Sequence, residues 1–245
     1  MSVESSAAFS GFLATDLSPY KLIHGQTVGP ISFGLKICDE ERKPMIYNDF
    51  VREILYDFLQ HKITWQYNQL KQVHPNPFVW LDEPGLEMIF NSLSAYTSEV
   101  AQVEYRAFLS KLPGPKGVHL CGNPDWSFLL NANLDVLAVD DFSWGHILVS
   151  YVDEFKEFLL RGGIIAWGII PTLTSELSSE TADSLTERLL QLWKFLNKHG
   201  LDDDILFDRS WLAPSRCCLI NADGTTSIDH SFALLREISR NLRSH

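Results

Sequence analysis

The chain alternates short apolar runs with longer stretches whose apolar residues recur at helical spacing, and it does so six times in 245 residues. That alternation restricts the fold more than any other feature. Parallel neighbours need a long crossover between them, so repeated strand-helix units imply a parallel sheet. The runs are almost continuously apolar rather than alternating, as strands buried on both faces require. An open doubly wound sheet and a barrel both satisfy the pattern. No Gly-x-Gly-x-x-Gly follows any of the runs, which weakens the dinucleotide-binding option.

The first strand is predicted within Gly29-Pro-Ile-Ser-Phe-Gly-Leu-Lys-Ile37, with a helix through Ile46, Phe50, Ile54 and Phe58 after it. Phe78–Asp82 is the second, leading into a helical stretch toward Leu109. Gly117–Cys121 is the third, with a short helix from Trp126 to Asn131. Leu134–Asp140 is the fourth, with a helix from Val149 to Leu160. Gly163–Gly168 is the fifth; its helix carries Leu185, Leu189, Leu192 and Leu196 and ends at Gly200, a natural terminator. The sixth falls near Ile205–Leu212, before a last helix through Phe232, Leu235, Ile238 and Leu242. A Ser/Ala-rich leader (1–20) precedes one domain (21–245).

A chain of this length can bury one sizeable core without disulfide staples. The net charge of −11 argues against nucleic acid or an anionic membrane as partner. No apolar run reaches a membrane span and no secretory signal opens the chain, so a cytoplasmic location is expected. Cys38, Cys121, Cys217 and Cys218 are too unevenly placed for a disulfide framework and read as thiols, Cys38 as a packed one.

Polar residues collect at the predicted C-terminal ends of the strands: Asp82-Glu83, His119 with Cys121, Asp140-Asp141, and Cys217-Cys218 after the sixth. Parallel α/β folds carry their active sites at that edge. His119-x-Cys121 puts imidazole and thiol on one side of a strand, and a cysteine from the distant pair would complete a zinc-type donor set. A buried structural pair is the alternative. Asp82-Glu83-Pro84 reads either as a helix start, with acid and proline in the first turn, or as part of the site. Asp140 and Asp141 are open to the same two readings. His146 reads as an ordinary surface or satisfied histidine, and Trp65, Trp80 and Trp193 as core.

His24-Gly-Gln-Thr-Val-Gly-Pro-Ile-Ser, Leu81-Asp-Glu-Pro, Val118-His-Leu-Cys-Gly-Asn, Gly163-Ile-Ile-Ala-Trp-Gly and Ala213-Pro-Ser-Arg-Cys-Cys-Leu together resemble successive motifs of one family. It is the C-terminal barrel of cobalamin-independent methionine synthase, in the superfamily of uroporphyrinogen decarboxylases and corrinoid-linked methyltransferases. The resemblance runs from about Lys21 onward. It implies an incomplete TIM-type β/α barrel of about six β-α units, the first two of eight missing. It also implies zinc held by His119, Cys121, Asp140 and Cys217, binding a homocysteine-like thiol that accepts a methyl group. Asp82 would hold the amino group of that thiol.

The sequence departs from the family in several places. Asp140 stands for the usual glutamate, Arg216 is an extra residue before the cysteine pair, and Cys218 replaces a glycine. Gly168 falls where folate-dependent members carry a histidine, which points to a corrinoid carrier as methyl donor rather than folate. A cut barrel leaves unpaired sheet edges, so a homo-oligomer or a partner subunit is expected. An inactive companion subunit is the competing reading. A porphyrin decarboxylase is the third, disfavoured because its N-terminal arginine and aspartate motifs have no counterpart.

Overall fold

The computed structural model describes residues 6–90, 96–216 and 223–243. The first part runs α1 (Ala7–Leu13), β1 (Ile23–Val28), α2 (Pro30–Lys36), α3 (Asp49–Val73), β2 (Pro77–Asp82), α4 (Ser98–Ser110) and β3 (Lys116–Leu120). Then come α5 (Trp126–Leu130), β4 (Val136–Val139), α6 (Asp141–Leu148), α7 (Val152–Leu160) and β5 (Ile164–Ile170). The last elements are α8 (Thr174–Leu177), α9 (Ala182–Lys198), α10 (Asp203–Asp208), β6 (Ser210–Pro214) and α11 (Thr226–Arg243). The strands form one six-stranded sheet in the order β1-β2-β3-β4-β5-β6, every neighbouring pair parallel. The α/β architecture is therefore as expected, and among the described residues the sheet does not close.

The sheet is nonetheless rolled. The rings of Phe78 on β2 and Trp211 on β6 lie 6.0 Å apart. In a flat sheet, strands four places apart would be separated by about 19 Å at about 4.8 Å per strand. Phe78 also contacts His24 (5.6 Å) and Trp80 (4.9 Å), so aromatic rings from β1, β2 and β6 meet on the inner face of the roll. Gly117 on β3 makes room for them, since a Cβ there would meet Trp80 at 2.7 Å and Phe78 at 2.9 Å. On β1, burial alternates as a strand with one covered face should: Ile23, Gly25 and Thr27 are buried, His24 and Gln26 exposed. The fully buried Leu81, Val118, Leu120, Leu137, Ile165 and Trp167 belong to the single main core. α1 packs onto α3 through Phe9 and Trp65.

Two expected strands are displaced. Gly29–Ile37 is not a strand: β1 ends at Val28, and Pro30–Lys36 is helix α2, with Pro30 in its first turn. A proline there costs no hydrogen bond and presets the helical φ. At the other end, Asp203–Asp208 is helix α10, and β6 starts only at Ser210. Three aspartates in a row, Asp202, Asp203 and Asp204, favour a helix start in place of a strand. Cys38 is also corrected: it is exposed rather than packed. His146 is exposed and Trp193 buried, while Trp65 and Trp80 are half-buried.

Candidate functional site

Asp82 closes β2 and His119 stands opposite it in register on β3. Cys121 follows β3 directly, and Asp140 follows β4 as the N-cap of α6. The sheet therefore brings Asp82, His119, Cys121 and Asp140 to its C-terminal edge, where the sequence had placed them. Cys217 and Cys218 lie outside the described residues.

The surroundings of these groups differ sharply. Asp82 Oδ2 accepts a 2.6 Å hydrogen bond from Gln26 Nε2, while its Oδ1 is buried without a partner among the described residues. Burial raises the Asp82 carboxyl and the Gln26 bond partly offsets this. The Nε2 of His119 is buried and, among the described residues, also lacks a partner. Burial pushes that imidazole down to about 4, so it is neutral at pH 7. The half-buried Cys121 thiol is pushed up by burial, pulled back by Arg216, and pushed up again by Asp140 and Asp82.

Asp140 is fully buried and well supplied with donors. Its Oδ1 accepts from Ser143 N at 3.0 Å, and its Oδ2 from Ser143 Oγ at 3.0 Å and from Arg216 Nε at 3.3 Å. It caps α6, as one of its two readings held, and pairs with a cation as well. Next to it, Asp141 is buried and accepts the Gly168 N–H at 3.0 Å, joining the start of α6 to β5; burial holds its carboxyl well above the usual range. Gly168 has no room for a side chain, because a Cβ would lie 2.2 Å from the Val139 carbonyl oxygen.

Asp82 and Glu83 divide the two readings of their motif. Glu83 is fully buried and caps a helix, but not the one that follows it in sequence. Its Oε2 accepts from Ser32 N (2.8 Å) and Ser32 Oγ (2.7 Å), and its Oε1 from Ile31 N (3.3 Å), all at the start of α2. Gly29 permits the approach, since a Cβ there would sit 2.1 Å from Glu83 Oε1.

Two participants escaped sequence reasoning. Gln26 could have been found, because period-two alternation puts it on the same face as Asp82, one pair away in register, once β1 is placed correctly. Arg216 reads from sequence only as an insertion; nothing local links it to Asp140, 76 positions away.

For zinc the donor set fits in part. His119 offers a neutral imidazole with an unused buried nitrogen and Cys121 a thiol, both suitable ligands. Asp140 as it stands does not fit, because the Arg216 guanidinium already occupies its carboxylate. Among the described residues, no three His, Cys, Asp or Glu side chains converge as a metal-holding group.

No protein-family model matches the chain, and no curated protein does. Among solved structures it is similar to a methyltransferase from Methanosarcina mazei, at a TM-score of 0.53 and 14% identity over 88% of this chain. The chain spans 58% of the length of that structure. This likeness shows a shared fold. Among the described residues, no helix is long and apolar enough to cross a membrane.

Proposed function

We propose that the strand-end cluster serves methyl transfer to a zinc-bound, homocysteine-like thiol. The observation that carries this reading is the buried Nε2 of His119, without a partner among the described residues, in register with Asp82 and two residues before Cys121. A buried polar nitrogen without a partner is costly, and a ligand that uses its lone pair removes the cost. His119, Cys121, Asp140 and Cys217 are the proposed zinc ligands, with Asp140 exchanging Arg216 for the metal. Zinc, when bound, would lower the pKa of an incoming thiol so that it is held as thiolate.

The remaining roles belong to the chain's own residues. Asp82 has one oxygen fixed by Gln26 and one unsatisfied, which suits an ammonium group on the thiol substrate. In the transfer, sulfur forms a bond to the methyl carbon as the old bond to the donor breaks, its electron pair leaving with the donor. Gly168 supplies no acid to protonate a departing folate nitrogen, and its backbone setting admits no larger residue. A methyl-corrinoid is therefore the proposed donor. The fold shared with a methyltransferase supports the reaction class.

A second reading has its own observation. The Arg216–Asp140 ion pair favours a degenerate barrel that acts as an inactive companion subunit. One experiment separates the two. The chain dialysed against zinc should retain about one ion, lose it in His119→Ala and Cys121→Ser, and methylate homocysteine from methylcobalamin but not from methyltetrahydrofolate. Failure to retain zinc sinks the metal reading, and retention without methylation leaves the companion.

A further inference from the structure

The free edge of β6 borders an open groove of ≈ 1070 Å³. Among the described residues β6 pairs with β5 alone, so the backbone groups on its other side have no strand partner. Tyr20, just before β1, lines the same groove, which therefore lies in the gap where the rolled sheet fails to close. It starts from Ser210, Trp211 and Leu212, at the beginning of β6 and away from the strand-end cluster.

Three features of the groove identify its occupant. Its apolar wall includes Phe207, Trp211, Phe232, Leu235 and Leu242. Exposed edges of parallel sheet are normally covered, because unpaired N–H and C=O groups recruit another chain. Next, Trp193 lines the groove at 5% exposure and, among the described residues, its buried Nε1 has no acceptor, which leaves a donor at this wall for a carbonyl seated against the indole. Finally, Arg236 and Arg243 line it and, among the described residues, no acidic side chain does, in a chain of net charge −11. Such a concentration of one sign within an oppositely charged molecule selects a partner by charge.

We propose that this groove binds an extended segment of a partner polypeptide as an added strand on β6. Apolar residues of that segment face the α11 wall, and flanking carboxylates meet the arginines. The groove runs from the free edge at the start of β6 along the face of α11, a course that suits an extended chain segment. Main-chain pairing supplies affinity in such additions, and alternate side chains supply selectivity.

The test uses a peptide of about seven residues, the length of a typical strand, alternating threonine and valine and ending in two glutamates. It should bind saturably and slow amide exchange across β6. Replacing its valines with proline, which cannot donate to the ladder, should abolish binding. Arg236→Glu with Arg243→Glu should weaken it by about tenfold or more. The proposal is overturned by the absence of saturable binding, or by binding indifferent to both changes. Concentration-dependent protection of the β6 amides in the chain alone would put a second copy there, and overturns it equally.

Discussion

Glu83 shows how far one residue's chemistry can be carried. Its carboxyl is pushed up from 4.5 to about 7 by burial, against the hydrogen bonds from Ser32 and Ile31. A raised folded-state value means that the native protein holds a proton the unfolded chain has released. The contribution is therefore complete below about pH 4.5 and is lost as pH rises toward about 7. His119 works in the opposite sense: its depressed value costs stability as pH falls from 6.5 to about 4. The two slopes overlap and partly cancel in the whole protein, so only a difference measurement isolates Glu83. Glu83→Gln should lose its share of the slope between about pH 4.5 and 7 while the His119 share stays, as urea midpoints across that range would show. Glu83→Ala should cost about 1–3 kcal/mol, because two buried N–H groups at the start of α2 lose their acceptor.

At the level of elements, the sequence was most legible where structure is made locally. Strands β2 to β5 fall where continuous apolar runs predict them, and α9 ends at Gly200, which has φ +87°. Of the two misplaced strands, the second gave way to a local acidic helix start at Asp202, Asp203 and Asp204, and the first sits where a local rule lost to distant chemistry. Ile31-Ser-Phe-Gly-Leu35 suits strand and helix about equally, and the capping acid that settles it arrives from β2, 51 residues away. The site was legible in outline, because strand ends collect in any parallel sheet. Its electrostatics were not, because the Arg216–Asp140 and Gln26–Asp82 contacts are long-range. Helix α3 is tied to α4 by another such contact: Arg52, 8% exposed, donates through Nε and Nη2 to both oxygens of Glu104. Its Nη1 also reaches the Ile46 carbonyl and Asp49. Removing Arg52 leaves the half-exposed Glu104 carboxylate and the Ile46 carbonyl without this donor. Arg52→Ala should cost about 1–3 kcal/mol, and an equilibrium denaturation showing less than about 1 kcal/mol would mean that water replaces the pair.

On the scale of the whole molecule, the roll matters more than any strand. It brings β6 within reach of β2 across the lumen, whereas Asp82, His119 and Asp140 end the neighbouring strands β2, β3 and β4 and meet through strand order alone. Small residues on one side of the lumen (Gly117) and rings on the other (Phe78, Trp80, Trp211) hold that curl without closing strands. Sequence periodicity could not decide this, since an open sheet and a barrel share one alternation of units. A double-mutant cycle can. Phe78 is buried and Trp211 half-buried, so each change to alanine should destabilise the chain, Phe78→Ala by about 3 kcal/mol or more. Distant sites add their effects, whereas residues in contact do not. Rings with centroids 6.0 Å apart should couple by about 0.5–1.5 kcal/mol. Were the sheet flat, the two residues would stand about 19 Å apart, and the double mutant would lose the sum of the single losses within about 0.3–0.5 kcal/mol. Phe78 also touches His24 and Trp80, so the cycle should be repeated in a His24→Ala background. Coupling that survives there belongs to the contact across the lumen, and its disappearance would mean that β1, rather than β6, holds the ring of Phe78 in place.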